Sequence, residues 1–465
     1  MHFDVVILGG GPGGYVASIR SSKLGMKTAL IEKDSLGGMF INNGIIQKIS
    51  LLKSAKILQI IKNHGCLFGV NNKKLQISFS SIMEKSRNAS EKVRKRISFI
   101  MKKNNVSVIY GKAQLKKGKK IEIFKDEKGF EEYSASNIII ATGSILNKDE
   151  IPLYDGEKII TYKEALSLIK NPKNMIVVGS NEIGLELAYF YHCMGTKVTI
   201  IENCKKIFPN GDHDISDYLE ASLKKMGIDV LTDYSIEKVQ KEKEKVILYI
   251  KKRNHDKKLT LISDKILYSI GFIPNTENIN LEELGIQTDN KFIVVNENYR
   301  TNIDGYYAIG NVINTPSLSH VASCEAMNCI EGIKGLNFQK IDYKNIPTCI
   351  YSHPEVSCVG YTEKESKKKG FQLQIAKFPF KSSIQSIVDE EIDGFVKVLF
   401  DKKYDEWLGC HIVGNNATNL ISEVVIARKL ETTSYELFNN TIPHPSLSEL
   451  ISESVSSAYG RSIYL

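Results

Sequence analysis

The chain has 465 residues, 42% of them hydrophobic and 25% charged, a balance that excludes disordered and fibrous classes and allows about three domains. Its formal charge is +9, but the lysines lie in scattered runs such as Lys116-Lys117-Gly118-Lys119-Lys120, the pattern of solvated turns, so no nucleic-acid partner is expected. No apolar stretch reaches the ~20 residues of a membrane helix, and the first strand starts at Phe3 without room for a targeting segment, so the expectations are no membrane span and a cytoplasmic or mature organellar-matrix setting.

Residues 4–8, Asp-Val-Val-Ile-Leu, form a short apolar run suited to a buried parallel strand. The run enters Gly9-Gly10-Gly11-Pro12-Gly13-Gly14, after which residues 15–24 have helical character. Gly9, Gly11 and Gly14 permit a tight turn, backbone approach to a pyrophosphate and close packing of helix on strand, with the helix N-terminus facing the phosphates. A second strand over residues 28–31 ends at Glu32, about where an acid accepts ribose hydroxyls. A lone glycine turn is a weak signal; strand, turn, helix, strand and terminal acid in this order are a strong one.

The pattern repeats about 170 residues later. Residues 175–178 read as a strand, Gly179-Ser180-Asn181-Glu182-Ile183-Gly184 as the turn, residues 185–194 as a helix, and residues 197–201 as a strand ending in Glu202. Two such units argue for two dinucleotide sites, as in enzymes that pass electrons from a nicotinamide to a flavin. Glu202 repels a 2′-phosphate and favours NAD over NADP. Asn181 replaces the middle glycine, Gly179 and Gly184 being kept, and its side chain is expected to point into the pyrophosphate space. Overpacking of about 1–3 kcal/mol would weaken NAD binding by about one to two orders of magnitude.

The eight cysteines include no C-x-x-C pair, so neither a metal site nor a disulfide framework is expected. Cys324 and Cys329 are five residues apart on an expected helix over residues 321–333, a step of about 140° that makes the sulfurs diverge.

Further motifs follow in order: Ile138-Ile139-Ile140-Ala141-Thr142-Gly143-Ser144, Ser269-Ile270-Gly271-Phe272-Ile273-Pro274-Asn275, Tyr307-Ala308-Ile309-Gly310-Asn311, Leu318-Ser319-His320-Val321-Ala322, Tyr351-Ser352-His353-Pro354-Glu355 and His444-Pro445-Ser446-Leu447-Ser448-Glu449. With both fingerprints, this order resembles the pyridine nucleotide-disulfide oxidoreductase family over nearly all the residues, most closely its dihydrolipoamide dehydrogenase branch. The resemblance implies an α/β chain with two Rossmann-like domains, for FAD and NAD, and a C-terminal α+β dimerisation domain. Residues 1–148 and 271–340 would build the FAD part, 149–270 the NAD domain and 341–465 the dimerisation domain of a homodimer. It places Gly38, Asn42, Thr142, Gly143, Gly271, Gly310, Asn311 and Ala322 with the first fingerprint at FAD, and Glu186 with the second near the flavin and nicotinamide. His444 would be the acid-base catalyst, oriented by Glu449. Read without the family motif, this pair serves equally well as a hydrogen-bonded brace at an interface.

The departures from the family pattern lie along the electron path. In Gly37-Gly38-Met39-Phe40-Ile41-Asn42-Asn43-Gly44-Ile45-Ile46, Phe40 and Ile45 stand where the family has its two redox cysteines. Carbon side chains cannot relay electrons by thiol–disulfide exchange. Ile49 stands in place of a Lys that pairs with Glu186, so that carboxylate is expected to lack its partner and to take up a proton unless Lys48 compensates. Phe272 replaces an Arg, Asn311 an Asp whose bond to the ribitol an amide oxygen can still accept, and Ser383 and Gln385 an Asn and an Arg. The expectation is a FAD-dependent NAD(H) oxidoreductase that has lost disulfide exchange and docks, if the family pattern holds, to lipoyl-bearing subunits of 2-oxo acid dehydrogenase complexes. The rival is a non-catalytic FAD-binding subunit of such a complex.

Overall fold

Strand His2–Leu8 is buried at Phe3 and from Val5 onward, as a strand covered on both faces should be. It pairs in parallel with Thr28–Glu32 on one side and with the end of Gly129–Ile140 on the other. Ser107–Tyr110 extends the sheet beyond Thr28–Glu32, and Tyr306–Ala308 adds to the far side of Gly129–Ile140. In register, Leu8 lies beside Ile31 and Ile140, and Ile140 beside Ala308. The chain therefore leaves this sheet at Gly9, Glu32, Ala141 and Ile309 along one edge, the carboxyl edge where open parallel sheets hold ligands. Helices Pro12–Lys23 and Ser319–Ile333 pack together beside it. These coordinates are a computed structural model that describes residues 1–42, 44–71, 75–126, 129–269 and 271–465, leaving aside the side chains of residues 40 and 126.

The chain divides into two compact units. The first comprises residues 1–48, 84–150 and 271–343; the second comprises 49–83, 151–270 and 344–465. Within the second, strands Asp229–Thr232, Lys197–Glu202, Asn174–Val178, Lys265–Tyr268 and Ile159–Thr161 form a five-stranded parallel sheet in that order. A separate antiparallel sheet orders Thr348–Ile350, Glu355–Gly360, Trp407–Gly414, Phe395–Asp401 and Leu373–Pro379. Its core is closed by helices Ala417–Lys429 and Glu449–Ala458.

The fingerprint helices begin earlier than their hydrophobic pattern suggests. The first starts at Pro12 rather than residue 15, because proline tolerates the first helical turn, where its missing N–H has no partner to lose. The second starts at Glu182 rather than residue 185, with that acid in the first turn. All eight cysteines are free, and Cys329 lies in the core while Cys324 faces outward. Among the described residues, no helix is long and apolar enough to cross a membrane.

Candidate functional site

At the first fingerprint the backbone turns at Gly9 with φ +102°, a left-handed conformation that favours glycine. A Cβ there would meet the Ala141 carbonyl oxygen at 2.5 Å. A Cβ on Gly14 would overlap the carbonyl of Gly9, so this glycine lets the helix lie against the strand. Gly11 differs, since the nearest atom to an added Cβ is the Gly38 Cα at 3.9 Å. Gly11 is also the N-cap of Pro12–Lys23 and supplies no side-chain cap, which leaves the helix N-terminus to an external anion.

Glu32 is buried at the end of its strand and accepts the N–H of Gly10 at 2.7 Å on one oxygen and that of Asp34 at 2.9 Å on the other. Thr142 donates to the Asn275 carbonyl at 2.7 Å, and Gly143 accepts the Asn275 N–H at 2.8 Å, which fixes the loop after Ile140. A cavity of about 640 Å³ opens at this edge, lined by Gly9, Glu32, Gly111, Gln114, Thr142 and Asn275 among others. Its size suits a nucleotide-sized ligand.

The Tyr306–Ala308 strand delivers Gly310 and Asn311 to the same edge. Gly310 has φ +72° and donates its N–H to Glu325 at 2.6 Å, while the Asn311 amide donates to the Ser144 hydroxyl at 3.2 Å. Ala322 packs against this turn: Cβ atoms added at Gly310 and Gly13 would lie 3.2 and 3.6 Å from its own. Glu325, fully buried, also accepts the Tyr343 hydroxyl at 2.9 Å. Burial pushes its carboxyl above the ordinary range, and the bonds from Gly310 and Tyr343 only partly offset that. Glu325 escapes sequence reading because a helical Glu is usually a solvated one.

Two expected FAD residues have structural partners. Asn42 donates to the Ser35 carbonyl and accepts two bonds from Arg94 at 3.1 and 3.3 Å, so its amide ties the 35–42 segment to helix Phe79–Lys103. Gly271 opens the ribbon of Phe272–Pro274 with Ser144–Leu146 and accepts the Asn147 N–H at 2.6 Å. Gly38 has φ +53°, and a Cβ there would lie 2.7 Å from the Gly11 Cα, so Gly38 lies hard against the fingerprint. Ile45 is the half-buried first residue of helix Ile45–His64, and the Phe40 side chain lies outside the described residues.

The second fingerprint repeats the backbone of the first. Gly179 has φ +95°, and a Cβ on Gly184 would overlap the Gly179 carbonyl. Asn181 is the N-cap of Glu182–Cys193, and its carboxamide oxygen accepts the Gly184 N–H at 3.0 Å. Its amide nitrogen donates to the Ser269 carbonyl at 2.5 Å. The side chain is thus folded back onto the turn and the neighbouring strand end. Glu202 accepts the N–H groups of Ser180 at 3.0 Å and Cys204 at 2.8 Å. Glu186 is fully buried and accepts the Tyr351 N–H at 2.8 Å, which corrects the expectation of a carboxylate without a partner. The bond spans 165 residues of sequence and has no local signature.

Near the C-terminus, His444 Nδ1 donates to Glu449 at 2.8 Å, and the second Glu449 oxygen accepts the Ser446 N–H at 2.9 Å. Nδ1 is thus engaged by the carboxylate, and the side chain is more than half exposed.

The pyridine nucleotide-disulphide oxidoreductase model matches residues 3–326, and the dimerisation-domain model of the same family matches residues 346–455. A dihydrolipoyl dehydrogenase of Rhizobium etli is 38% identical, with 99% of this chain and 98% of the relative covered. One from Bacillus subtilis is 37% identical over 100% and 99%. In structure the chain resembles LpdA of Mycobacterium tuberculosis (TM-score 0.90, 24% identity, 97% of this chain and 99% of the other). It also resembles the HOCl-induced flavoprotein disulfide reductase RclA of Escherichia coli (TM-score 0.87, 23% identity, 97% and 99%); at these identities both show a shared fold. Fold, fingerprints and relatives agree that the chain belongs to the pyridine nucleotide-disulphide oxidoreductase family, whose members are FAD-dependent and use NAD(H).

Proposed function

We propose that this chain is a FAD-dependent NAD(H) oxidoreductase of the dihydrolipoyl dehydrogenase type that no longer exchanges disulfides. The observation that carries the reading is the shared carboxyl edge of the first unit, where Gly9, Glu32 and Thr142 line one cavity and the turns at Gly11 and Gly310 follow strands that end at the same edge. The adjoining 37–46 segment contains no cysteine. FAD, when bound, supplies two-electron redox chemistry that needs no protein disulfide. Gly11 and the uncapped helix start would hold its pyrophosphate, Glu32 its ribose, and Asn311 its ribitol. We assign residues 1–148 and 271–340 to FAD, 149–270 to NAD and 341–465 to dimerisation, with Phe40 and Ile45 as the replaced redox cysteines and Asn181 weakening the NAD site.

His444 with Glu449 would keep the acid-base capacity of the family, poised at Nε2. As a homodimer the protein would dock to lipoyl-bearing subunits of a 2-oxo acid dehydrogenase complex, in the cytoplasm or an organellar matrix. A second reading, a non-catalytic FAD-binding subunit, is favoured by the folded-back Asn181.

Anaerobic titration of the purified yellow protein with NADH separates the two. Bleaching of the flavin within seconds supports the oxidoreductase, whereas an unchanged spectrum at millimolar NADH supports the binding subunit. Lipoamide turnover is expected to be absent. It should return, with a long-wavelength thiolate–flavin band, only when Phe40→Cys and Ile45→Cys are combined; turnover by the unaltered chain would refute the loss of disulfide exchange.

A further inference from the structure

The two fingerprints of this chain form an internal comparison. Residues 9–14 and 179–184 superpose in role, Gly10 corresponding to Ser180, Gly11 to Asn181, and Glu32 to Glu202. Each terminal acid accepts two backbone N–H groups in the same way: Gly10 and Asp34 at Glu32, Ser180 and Cys204 at Glu202. The turns differ at four positions, Gly10/Ser180, Gly11/Asn181, Pro12/Glu182 and Gly13/Ile183, and the first two of these bring new side-chain bonds into the second copy.

Ser180 is buried, and its hydroxyl donates to Glu202 at 2.5 Å, on the oxygen already bonded to its own N–H. That hydroxyl also accepts the Phe208 N–H at 3.2 Å, which fixes its rotamer. A dinucleotide ribose offers a terminal acid the same bond, hydroxyl to carboxylate. Asn181 places a carboxamide oxygen on the Gly184 N–H at the helix N-terminus, where a pyrophosphate oxygen would otherwise be received. The Ser269 hydroxyl donates to the same oxygen at 2.5 Å, and the Asn181 amide returns a bond to the Ser269 carbonyl. The first fingerprint has neither feature: Gly11 supplies no cap, and Glu32 receives no side-chain hydroxyl among the described residues.

We propose that Ser180 and Asn181 are specificity-determining residues that occupy the second fingerprint from within, the serine hydroxyl standing in for the ribose and the asparagine carboxamide for the pyrophosphate. This rests on the reading of residues 174–202 as the NAD(H) site. An incoming dinucleotide must displace bonds the chain already makes, so the two side chains set its affinity by competition rather than by bulk alone. The competition acts on the ADP-ribose half of the ligand.

The test compares the full-length flavin-loaded protein with Ser180→Gly, Asn181→Gly and the double variant, titrated calorimetrically with NADH, ADP-ribose and nicotinamide mononucleotide. The double variant is expected to bind NADH and ADP-ribose at least about tenfold tighter, equivalent to about 1.4 kcal/mol, with nicotinamide mononucleotide unchanged. Ser180→Ala, which removes the hydroxyl without adding backbone freedom, should give a gain of a few-fold and guards against misfolding of the glycine variants. Equal NADH affinity in all chains overturns the inference and leaves the proposed function standing. A gain for nicotinamide mononucleotide as large as for ADP-ribose also overturns it. Failure of every chain to bind NADH at millimolar concentration, with flavin retained, overturns both.

Discussion

Gly11 and Gly14 lie within one turn, yet they are required for different reasons. A methyl at Gly14 has no space, because it overlaps the carbonyl of Gly9 in the apoprotein itself. A methyl at Gly11 meets nothing closer than 3.9 Å, so its only conflict is with a ligand in the crevice. Gly14→Ala is therefore expected to destabilise the apoprotein by about 1–3 kcal/mol in urea unfolding. Gly11→Ala should leave apoprotein stability within about 0.5 kcal/mol while FAD affinity, followed by flavin fluorescence, drops by about one to two orders of magnitude. If Gly11→Ala weakens the apoprotein as much as Gly14→Ala does, the open space beside Gly11 is not the pyrophosphate site. Both glycines are legible in the sequence because their spacing is local. Their different roles are not, since those depend on Gly38 and on the carbonyl of Gly9 in three dimensions.

Among elements of the second unit, strand Phe395–Asp401 carries a fully buried Lys397 whose ammonium bonds Asp212 at 2.8 Å and Asp214 and Glu363 at 2.7 Å each. The carboxylates start helices His213–Met226 and Glu363–Lys368, so one cation ties two helix N-termini to a strand. Asp212, His213 and Asp214 also cluster as metal ligands would, but the ammonium holds the carboxylates that a cation would need. Burial favours the neutral form of Asp212, yet His411 and Lys397 outweigh it and hold the carboxyl at about 2. Asp214 and Glu363 are likewise depressed, with Lys377 and Lys367 contributing beside Lys397. Because the folded values lie below the unfolded ones, the stabilisation is complete above about pH 5 and is lost as pH falls through the folded values toward 2. Lys397→Met should cost about 3 kcal/mol near pH 7, since it leaves carboxylates facing one another in a buried place. The gap between variant and parent should narrow steadily between about pH 5 and pH 3 in chemical unfolding. A gap independent of pH would mean that Lys397 acts through packing of its stem. Nothing in the sequence flags this cluster, because its members stand up to 185 residues apart and each taken alone reads as a surface charge.

Across the whole molecule, structure is legible in the sequence where one unit is written in one stretch and silent where distant stretches converge. Both strand–turn–helix–strand–acid units are legible because every residue they need lies within about 30 positions. Residues 49–83 group by contacts with the second unit, an association the sequence does not show, because an amphipathic helix does not state which surface covers its apolar face. The Asn181–Ser269 and Glu186–Tyr351 bonds are similarly silent. This long-range construction bears on the flavin, since the sheet edge proposed to hold it is assembled from segments ending at Leu8, Glu32, Ile140 and Ala308. A ligand that binds only the assembled edge stabilises all of them together. With FAD at about 100 times its Kd, the added stability is about 2.7 kcal/mol, so the slowest amides of His2–Leu8 and of 138–140 should exchange about a hundredfold more slowly than in the apoprotein. If Ser180 and Asn181 compete with the dinucleotide as proposed, NADH at about 1 mM should slow the amides of Asn174–Val178 and Lys197–Glu202 by no more than a few-fold. Hydrogen exchange read by mass spectrometry reports both ligands in one experiment. Protection of the second fingerprint by NADH as strong as that of the first by FAD would show that Ser180 and Asn181 do not obstruct the dinucleotide.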